Sequence, residues 1–299
     1  MRIDRFLERT SDDGKKTMVV SAADDQEVMT CIGEVLKRGL CNCILVGNKD
    51  NIFSIAHEIG MDISDCEIVH AADEVESAGK SVSLVREGKA NVLMKGGILT
   101  KTLMHAILDK EKGIRGGGIL NSVCAIDCPK LDRIVYLSDP GVVTYPTFQQ
   151  KVDIINNTVS FVRKLEVDIP KVAVVCAVEI INPNMPSTLE AAALALMGQR
   201  GQLKNCIVDG PLGLDNALFP EAVKHKKVSS PVDVCGKADI VIMPNAECGN
   251  GIMKAVRFMT DSATAGVLLG AKVPVVMTSR ADSAENKLRS VALALAASE

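Results

Sequence analysis

The sequence predicts an α/β fold in which short buried strands alternate with amphipathic helices. Short runs rich in valine and isoleucine recur along the 299 residues, without the polar alternation of half-exposed strands. Longer segments with helical periodicity lie between these runs. Such alternation is typical of parallel sheets with right-handed crossovers. The hydrophobic fraction of 47% is ample for a sizeable core, and the length suggests one large domain or two modest ones.

Nine short apolar runs are predicted to be buried parallel strands. They are residues 18–22, 43–46, 67–70, 92–94, 134–138, 172–178, 206–209, 240–244 and 275–278. A tenth run, at 119–126, is expected to be antiparallel or irregular. Continuous apolar runs of this length are typical of strands that are buried on both faces.

Helices are predicted between these strands, at residues 24–38, 73–87, 148–165, 187–196 and 251–261. The first opens with two acids and ends near Gly39, as a capped helix should. The second ends before Gly88. Another helix is expected to start near Thr100 or Lys101, and a last one follows the final strand.

The domain boundary is predicted at the turn-forming Asp-Pro-Gly stretch 139–141. The first α/β domain is expected to comprise residues 1–141 together with 274–299, and the second residues 142–273. Ligands of such folds gather beyond the carboxyl ends of strands, often between domains. The polar residues that directly follow each strand are therefore the candidate site residues.

The composition excludes several kinds of partner. The net charge of −3 gives no general attraction for nucleic acid, and six Phe, two Tyr and no Trp argue against a base-stacking surface. No apolar run approaches the ~20 residues of a membrane span. The charged start of the chain does not resemble a secretory signal. We expect a cytoplasmic protein that binds neither nucleic acid nor membrane.

The ten cysteines are expected to be mostly buried structural thiols in a reducing compartment. Cys41 and Cys43 share one face of a predicted strand, and the pair Cys124 and Cys128 is not followed by a second pair. We therefore expect no metal site. The short basic run 224–227 is interpreted as a solvated loop.

Residues 95–97 form the first candidate anion site. Lys95 supplies positive charge, and Gly96 with Gly97 lets backbone amides approach an anion. The N-terminus of the following helix would add to the same site. The alternative is a plain strand-to-helix turn with an exposed lysine.

A second glycine-rich segment, 114–118, contains Arg115. A guanidinium suits bidentate phosphate binding, although three glycines also suit a mobile loop without chemistry. Neither the Walker spacing nor a G-x-G-x-x-G fingerprint after the first strand is present. An anion-binding role for Arg115 is predicted.

The loop after the strand 172–178 offers Asn182 as a candidate ligand-binding residue. Two prolines fix this loop. Ser187 lies where it would cap the following helix, with Glu190 at capping-box distance. Capping is the plain structural interpretation of that pair.

The loop after the strand 240–244 contains Asn245, Gly249 and Asn250. Asparagine and glycine expose backbone donors at a helix N-terminus, where phosphate binds readily. These three residues are candidates for phosphate binding.

The final strand delivers the densest polar cluster: Thr278, Ser279, Arg280, Asp282 and Glu285. The two acids fit an N-cap and its capping box. Capping does not explain the serine and arginine just before the helix, so this cluster is the main catalytic candidate.

At these residues the chain resembles the phosphate acetyl/butyryltransferase family, and most closely its butyryltransferase branch. The resemblance covers essentially the whole chain. The segments that carry it are 93–96, 176–183, 185–189, 208–212, 238–240, 243–245 and 278–283.

The resemblance implies two α/β domains with an isocitrate/isopropylmalate-dehydrogenase-like fold and an active site in the interdomain cleft. It implies reversible transfer of a short acyl group, butyryl above all, between coenzyme A and inorganic phosphate. No metal, cofactor or covalent acyl-enzyme is implied, because acyl-CoA and phosphate are both substrates. A homo-oligomer and metabolic coupling to an acyl kinase are also implied.

The resemblance also assigns roles. In the acetyltransferases a Ser-Arg pair binds the reacting groups, and an Asp seven residues after the Ser is the proposed base. Here the pair is Ser279 and Arg280, and the base position holds Asn286, which cannot accept a proton. Glu285 and Asp282 are the neighbouring carboxylates, of which Glu285 is preferred.

Three alternatives stay open. The first is an acetyl-specific enzyme with the same chemistry and a smaller pocket. The second is a metal-dependent decarboxylating dehydrogenase of the same fold, which would need an acidic Mg²⁺ cluster and a cofactor site. The third is a non-catalytic acyl-CoA-binding protein, which the asparagine at position 286 favours.

Overall fold

The computed structural model describes residues 1–8, 16–165, 167–277 and 282–298. The chain forms two compact units. Unit 1 comprises Met1–Ile3 and Ile119–Thr264, and unit 2 comprises Asp4–Gly118 and Ala265–Glu299. Each unit has its own set of mainly parallel strands, and the two are described separately below.

Eleven strands lie within the described residues. They are β1 Thr17–Ser21, β2 Asn42–Gly47, β3 Glu67–His70, β4 Val92–Lys95, β5 Asn121–Asp127, β6 Ile134–Ser138, β7 Lys171–Val175, β8 Ile207–Leu212, β9 Ile240–Ile242, β10 Ala263–Leu269 and β11 Val275–Val276. Each of the ten predicted runs overlaps one of them. The missing prediction is β10.

The same residues form eleven α-helices and one 3-10 turn at Arg2–Asp4. The helices are α1 Arg5–Glu8, α2 Gln26–Lys37, α3 Lys49–Glu58, α4 Glu74–Arg86, α5 Thr100–Leu108, α6 Phe148–Lys164, α7 Pro186–Gln199, α8 Leu214–Leu218, α9 Pro220–Lys226, α10 Ala246–Met259 and α11 Ala284–Ala297. All five predicted helices and the predicted start near Thr100 are confirmed.

In unit 2 the strand order is β3-β2-β1-β4-β11-β10. The first five strands are parallel, and β10 runs antiparallel to β11. Helices α2 and α4 each cross between parallel strands, as βαβ units require. The central strands are fully buried on both faces, which is why their sequences read as continuous apolar runs.

In unit 1 the strand order is β5-β6-β9-β7-β8. Strands β6, β9, β7 and β8 are parallel, and β5 is antiparallel to β6. The prediction of an antiparallel strand at 119–126 is therefore confirmed. Valine, leucine, isoleucine and alanine side chains supply most of the core of this unit.

The division into units differs from the expected boundaries at 141/142 and 273/274. The hairpin β5–β6 lies in unit 1 because Tyr136 of β6 pairs with Ile240 of β9. The chain returns to unit 2 at Ala265, because β10 pairs with β11 there. Strand pairing, rather than the Asp-Pro-Gly turn, decides the boundary.

Two predicted helix caps are corrected. Helix α7 has Pro186 as its first residue and Met185 as an N-cap that makes no side-chain hydrogen bond, so Ser187 is not the cap. Helix α11 is capped by Ser283 rather than Asp282, because the Ser283 hydroxyl accepts the backbone N–H of Asn286 at 3.2 Å.

All ten cysteines are free thiols, and five of them are buried. Over the described ranges, His, Cys, Asp and Glu side chains form no group of three or more that could hold a metal ion. In that same part of the chain, no helix is both long and apolar enough to cross a membrane.

Candidate active site

Three strand ends of unit 2 lie side by side at one edge of the sheet. Ser21 of β1 is the register partner of Lys95 at the end of β4, and Met94 is the partner of Val276 in β11. Because parallel strands lie about 4.8 Å apart, the residues that follow these three strands share one edge. This edge is the candidate active site of unit 2.

The loop after β4 is held against the end of β1 by two backbone hydrogen bonds. The N–H groups of Gly96 and Gly97 donate to the carbonyls of Ser21 and Ala22, each at 2.8 Å. A Cβ at position 96 would collide with the Ala22 carbonyl oxygen. Only glycine fits there, since the two backbones approach too closely for a side chain.

Lys95 places an ammonium group at this edge. The side chain is half-buried, and its Nζ donates to the carbonyl oxygen of Gly96 at 3.2 Å. Helix α5 begins five residues later with Leu99 as an N-cap that makes no side-chain hydrogen bond. Lys95 and the glycine loop form part of the arrangement predicted for an anion, whereas the Leu99 N–H at the helix start already donates to the Glu74 carboxylate at 3.1 Å.

The predicted residues Thr278, Ser279 and Arg280 lie outside the described residues. The chain approaches them from Val276, whose partner in β4 is Met94. Met277 therefore leaves the sheet next to Lys95. Strand β11 thus ends at the same edge as Lys95.

The described chain resumes at Asp282, which is half-exposed and precedes the cap of α11. Glu285 lies in the first turn of α11 with 78% of its side chain exposed, and its carboxylate lies 3.4 Å from Arg289. Arg289 also donates to Asp4 at 2.7 Å. Glu285, the preferred base from the sequence, thus faces solvent beside an arginine.

Asn286 takes part in the local structure of α11. Its backbone N–H donates to the Ser283 cap, and its Oδ1 accepts from Arg289 Nη1 at 3.2 Å. A carboxamide has no basic site near neutral pH. The position that the resemblance assigns to the base therefore holds a hydrogen-bonding residue and no proton acceptor.

Arg115 lies at the opposite edge of the same sheet, exposed. It forms an isolated antiparallel bridge with Ala271, in the turn that leads from β10 into β11. Because β11 runs parallel to β4, this turn lies where β4 begins, whereas Lys95 lies where β4 ends. Helix α5 carries the chain between the two edges. Arg115 and Lys95 therefore lie at opposite edges of the unit 2 sheet.

The sequence reasoning missed Asp25, which follows β1 at the Lys95 edge. Its Oδ1 accepts the N–H of Val28 at 3.0 Å and caps α2. A Cβ built on Gly97 would lie 3.1 Å from Asp25 Cβ. The acids after β1 were interpreted only as a helix start, so their place beside the glycine loop was not predicted.

At the strand ends of unit 1, Asn245 is the N-cap of α10 and accepts the N–H of Cys248 at 2.9 Å. Glu247 lies two residues after Asn245, and its carboxylate accepts a hydrogen bond from the Tyr145 hydroxyl at 2.6 Å. This hydrogen bond raises the pKa of Tyr145. An acid in the first turn already interacts favourably with the helix dipole. This helix start is therefore less suited to phosphate than predicted.

Gly249 and Asn250 both lie inside α10. Gly249 is buried, and a Cβ there would lie 2.8 Å from Pro140 Cα and 2.9 Å from the Asp139 carbonyl oxygen. Close packing of the helix on the loop after β6 accounts for this glycine. Asn250 is exposed on the helix surface.

Asn182 closes its own loop. Its Oδ1 accepts the N–H of Asn184 at 2.9 Å, and its backbone N–H donates to the Thr188 hydroxyl at 2.9 Å. The polar group that stands at this strand end is instead Glu179, which accepts from Asn216 and from Lys226, the latter at 3.0 Å.

Lys226 belongs to the basic run that was interpreted as a solvated loop. Its ammonium bridges Glu179 and Asp215, which lies at 2.9 Å. The hydrogen bonds that the Lys226 ammonium donates to Asp215 and Glu179 raise the pKa of Lys226, and the bond to Asp215 lowers the pKa of that carboxyl. One member of the run is thus part of an ion-paired cluster at the ends of β7 and β8.

The fold is that of an α/β phosphotransacylase. A branched-chain phosphotransacylase from Enterococcus faecalis V583 matches 94% of this chain and 98% of its own, with a TM-score of 0.84 and 31% identity. A 4-hydroxythreonine-4-phosphate dehydrogenase from Klebsiella pneumoniae matches with a TM-score of 0.53 at 14% identity. That weaker likeness concerns the fold alone and agrees with the predicted dehydrogenase-like architecture.

The chain belongs to the phosphate acetyl/butaryl transferase family, whose pattern matches residues 75–295. It is 47% identical over 279 residues to a phosphate butyryltransferase of Clostridium acetobutylicum, covering 93% of this chain and 92% of that protein. It is also 41% identical over 293 residues to a phosphate acetyltransferase of Thermotoga maritima, covering 98% of each chain. The family predicted from the sequence is confirmed.

Proposed function

We propose that this protein is an acyltransferase that reversibly converts butyryl-CoA and inorganic phosphate into butyryl phosphate and coenzyme A. The observation that carries the proposal is the nearly full-length similarity to a phosphate butyryltransferase, at 47% identity. The Lys95 edge of unit 2 supports the same chemistry, because it offers a cation and a tightly packed glycine loop for a phosphate group.

In the forward direction a phosphate oxygen attacks the thioester carbonyl carbon, and the carbon–sulfur bond then breaks. Phosphate needs little activation, since it is already anionic near neutral pH. Holding it next to the thioester would supply roughly 7 to 11 kcal/mol. Lys95 and Arg280 are proposed to neutralise phosphate.

The tetrahedral intermediate carries an oxyanion that needs a donor. Ser279 is proposed to donate to it together with a backbone amide, and one such donor is worth about 3 to 4 kcal/mol. In the reverse direction the thiol of coenzyme A must lose its proton before it attacks. A thiol has a pKa near ~8.5, so a nearby cation would favour the thiolate.

The reaction as written requires no metal and no cofactor. Cytoplasmic location, assembly into a homo-oligomer and transfer of butyryl phosphate to an acyl kinase are part of the proposal. They rest on the family alone.

Two other functions have a specific observation in their favour. The 41% identity to a phosphate acetyltransferase over 98% of both chains supports an acetyl-specific enzyme with the same mechanism. The carboxamide of Asn286, bound to Arg289, supports a protein that binds acyl-CoA without turnover.

The test is release of free thiol from acetyl-, propionyl-, butyryl- and valeryl-CoA, measured with a thiol-reactive dye in the presence of EDTA. Phosphate-dependent release that peaks at butyryl-CoA is expected. A peak at acetyl-CoA would keep the reaction and change the substrate. Binding of acyl-CoA with no phosphate-dependent release would refute the proposed reaction.

A further inference from the structure

We infer that Asp25 is the general base that accepts the proton of the coenzyme A thiol, a role that Asn286 cannot perform. The inference rests on the proposed function, since it assigns a residue to that reaction. It is argued from unit 2 alone, where Asp25 lies at the same sheet edge as Lys95.

The first observation is the orientation of the Asp25 carboxylate. Its Oδ1 caps α2 through the N–H of Val28, and its Oδ2 lies 3.6 Å from the position that a Cβ on Gly97 would occupy. Within the described ranges, Oδ2 makes no hydrogen bond. One carboxylate oxygen thus holds the side chain in place, and the other lies against the glycine loop with capacity to accept a proton.

The second observation places Asp25 near Asn286. Lys287 forms an ion pair with Glu27 at 2.9 Å, which joins the first turn of α11 to the first turn of α2. Lys287 is the neighbour of Asn286 in the chain, and Glu27 lies two residues after Asp25. The starts of α2 and α11 are therefore neighbours, and we expect a carboxylate at either start to act at the Lys95 edge.

The other carboxylates of this region fit the role less well. Glu285 is largely exposed and lies beside Arg289. Asp24 points toward β2, because a Cβ on Gly47 would lie 3.1 Å from Asp24 Cγ. In the sheet, β2 and β4 flank β1 on opposite sides. Asp24 therefore faces away from the Lys95 loop, and Asp25 faces it.

The chemical step is a simple proton transfer followed by acyl transfer. The Asp25 carboxylate takes the proton from the thiol sulfur, and the thiolate attacks the carbonyl carbon of the acyl phosphate. The bond from that carbon to the bridging oxygen breaks, and phosphate leaves with the electron pair. Asp25 then releases its proton to phosphate or solvent. In the forward direction Asp25 returns the proton to the departing thiolate.

Several elements contribute charged groups near Asp25. Asp24 lies in the same loop, Lys95 ends β4, and the Glu74 carboxylate of α4 accepts the N–H of Leu99 at 3.1 Å. Helix α11 contributes Lys287, whose charge is balanced by Glu27. A general base of this kind contributes about 10² to 10⁴-fold in rate. Because an enzyme does not change the equilibrium constant, both directions lose the same factor when the base is removed.

The decisive variant is Asp25→Asn, since asparagine is an equally good N-cap and preserves α2. Its kcat/KM is expected to fall at least a hundredfold at pH 7. The deficit should shrink as the pH approaches ~8.5, because the thiol then ionises without a base. A purely structural role for Asp25 would produce a deficit that does not depend on pH.

Three further variants complete the test. Asp73→Asn is the matched control, because Asp73 caps α4 in the same way through the N–H of Glu76 at 2.8 Å. It should leave kcat/KM within twofold, as should Asp24→Asn. Asn286→Asp, added to the Asp25→Asn variant, should restore at least tenfold by returning a carboxylate to the same edge.

An Asp25→Asn enzyme with near wild-type activity would overturn the inference, and so would a pH-independent loss that Asn286→Asp does not rescue. Either result leaves the proposed function intact, because the wild-type protein would still release thiol in a phosphate-dependent manner. Failure of the proposed function itself would appear in the wild-type assay before any variant is compared.

Discussion

Lys151 of α6 and Glu190 of α7 form an ion pair of 2.5 Å in which the lysine is buried and 34% of the glutamate side chain is exposed. Lys151→Met removes the charge and keeps the volume. We expect a loss of about 1–3 kcal/mol in the free energy of unfolding, below the ~3–5 of fully buried pairs, because the glutamate reaches water.

Urea denaturation of the single variant and of Lys151→Met with Glu190→Gln would test this expectation. The double variant should regain part of the loss. The control is Lys237→Met, whose ammonium pairs with Asp233 at 2.6 Å on the surface and should change stability by less than ~1 kcal/mol. Equal effects at both lysines would contradict the role of burial.

Gly249 and Gly251 of α10 should respond to alanine with opposite signs. Gly251→Ala adds a Cβ in open space and should stabilise the helix by ~1 kcal/mol. Gly249→Ala places a Cβ 2.8 Å from Pro140 Cα, and overpacking should destabilise by about 1–3 kcal/mol. Thermal unfolding of the two variants measures both changes in stability. Stabilisation by both would contradict the prediction, because it would show that the loop after β6 moves to accommodate the added Cβ at little cost.

Gly96→Ala should disrupt the candidate site. The added Cβ would meet the Ala22 carbonyl and lie 2.5 Å from that of Ser21, so the loop after β4 must move. We expect kcat/KM for phosphate to fall more than tenfold, since a misplacement of about 1 Å near the reacting groups has effects of ~10²-fold. Gly118→Ala, which meets nothing within 4 Å, is the control and should keep wild-type activity.

Lys95 and Arg115 should differ in importance, because they occupy opposite edges of the unit 2 sheet. Lys95→Ala should lower kcat/KM for phosphate by about tenfold to a hundredfold, the loss of one charged hydrogen bond of ~1.5–3 kcal/mol. Arg115→Ala should stay within about twofold. A larger effect of the arginine than of the lysine in steady-state kinetics would contradict this prediction and support the anion-binding role predicted for Arg115.

The contributions of Asp239 and Asp233 to the stability of the fold should depend on pH in opposite directions. Burial raises the pKa of Asp239 above its usual 3.8, so the folded protein binds this proton more tightly than the unfolded chain. Stability from this group is present at low pH and is lost as the pH rises through the folded pKa. The Asp239→Asn variant should therefore become more stable relative to wild type as the pH rises from 3.5 to 7. The asparagine side chain still offers an oxygen that can accept the backbone N–H of Lys171.

Asp233 provides the comparison. Hydrogen bonds from Lys171 and Lys237 lower its pKa from 3.8 to about 2, so its contribution is present above pH 3.8 and is lost as the pH falls toward 2. Asp233→Asn should be less stable than wild type at pH 7, with the difference closing at low pH. Urea titrations at several pH values would measure both, and a common sign would refute the assignment.

Much of unit 2 and unit 1 was predictable because most strands are continuous apolar runs. Strands β3 and β6 have the bounds that the sequence predicts, 67–70 and 134–138. Strand β10 was not predicted. Its first four residues are alanines, a threonine and a glycine, so only its end, Val267 to Leu269, reads as a continuous run of large apolar residues.

The candidate site was predictable only in part. The Lys95 loop could be identified because a lysine and two glycines directly follow a strand, a pattern that suits an anion. Arg115 also adjoins glycines, yet it lies at the other edge. Asp25 is one of the two acids that open the first predicted helix, and its position beside the glycine loop has no local signature in the sequence.

The sequence by itself determined most of the strands and helices, the family and the Lys95 loop, because these depend on residues that are near one another in the chain. Tertiary structure alone decided that β1, β4 and β11 end together, that Arg115 is separated from Lys95, and that Lys287 of α11 pairs with Glu27 of α2. These relations depend on strand order and direction. Packing between residues far apart in the chain sets both, and no short stretch of sequence encodes them.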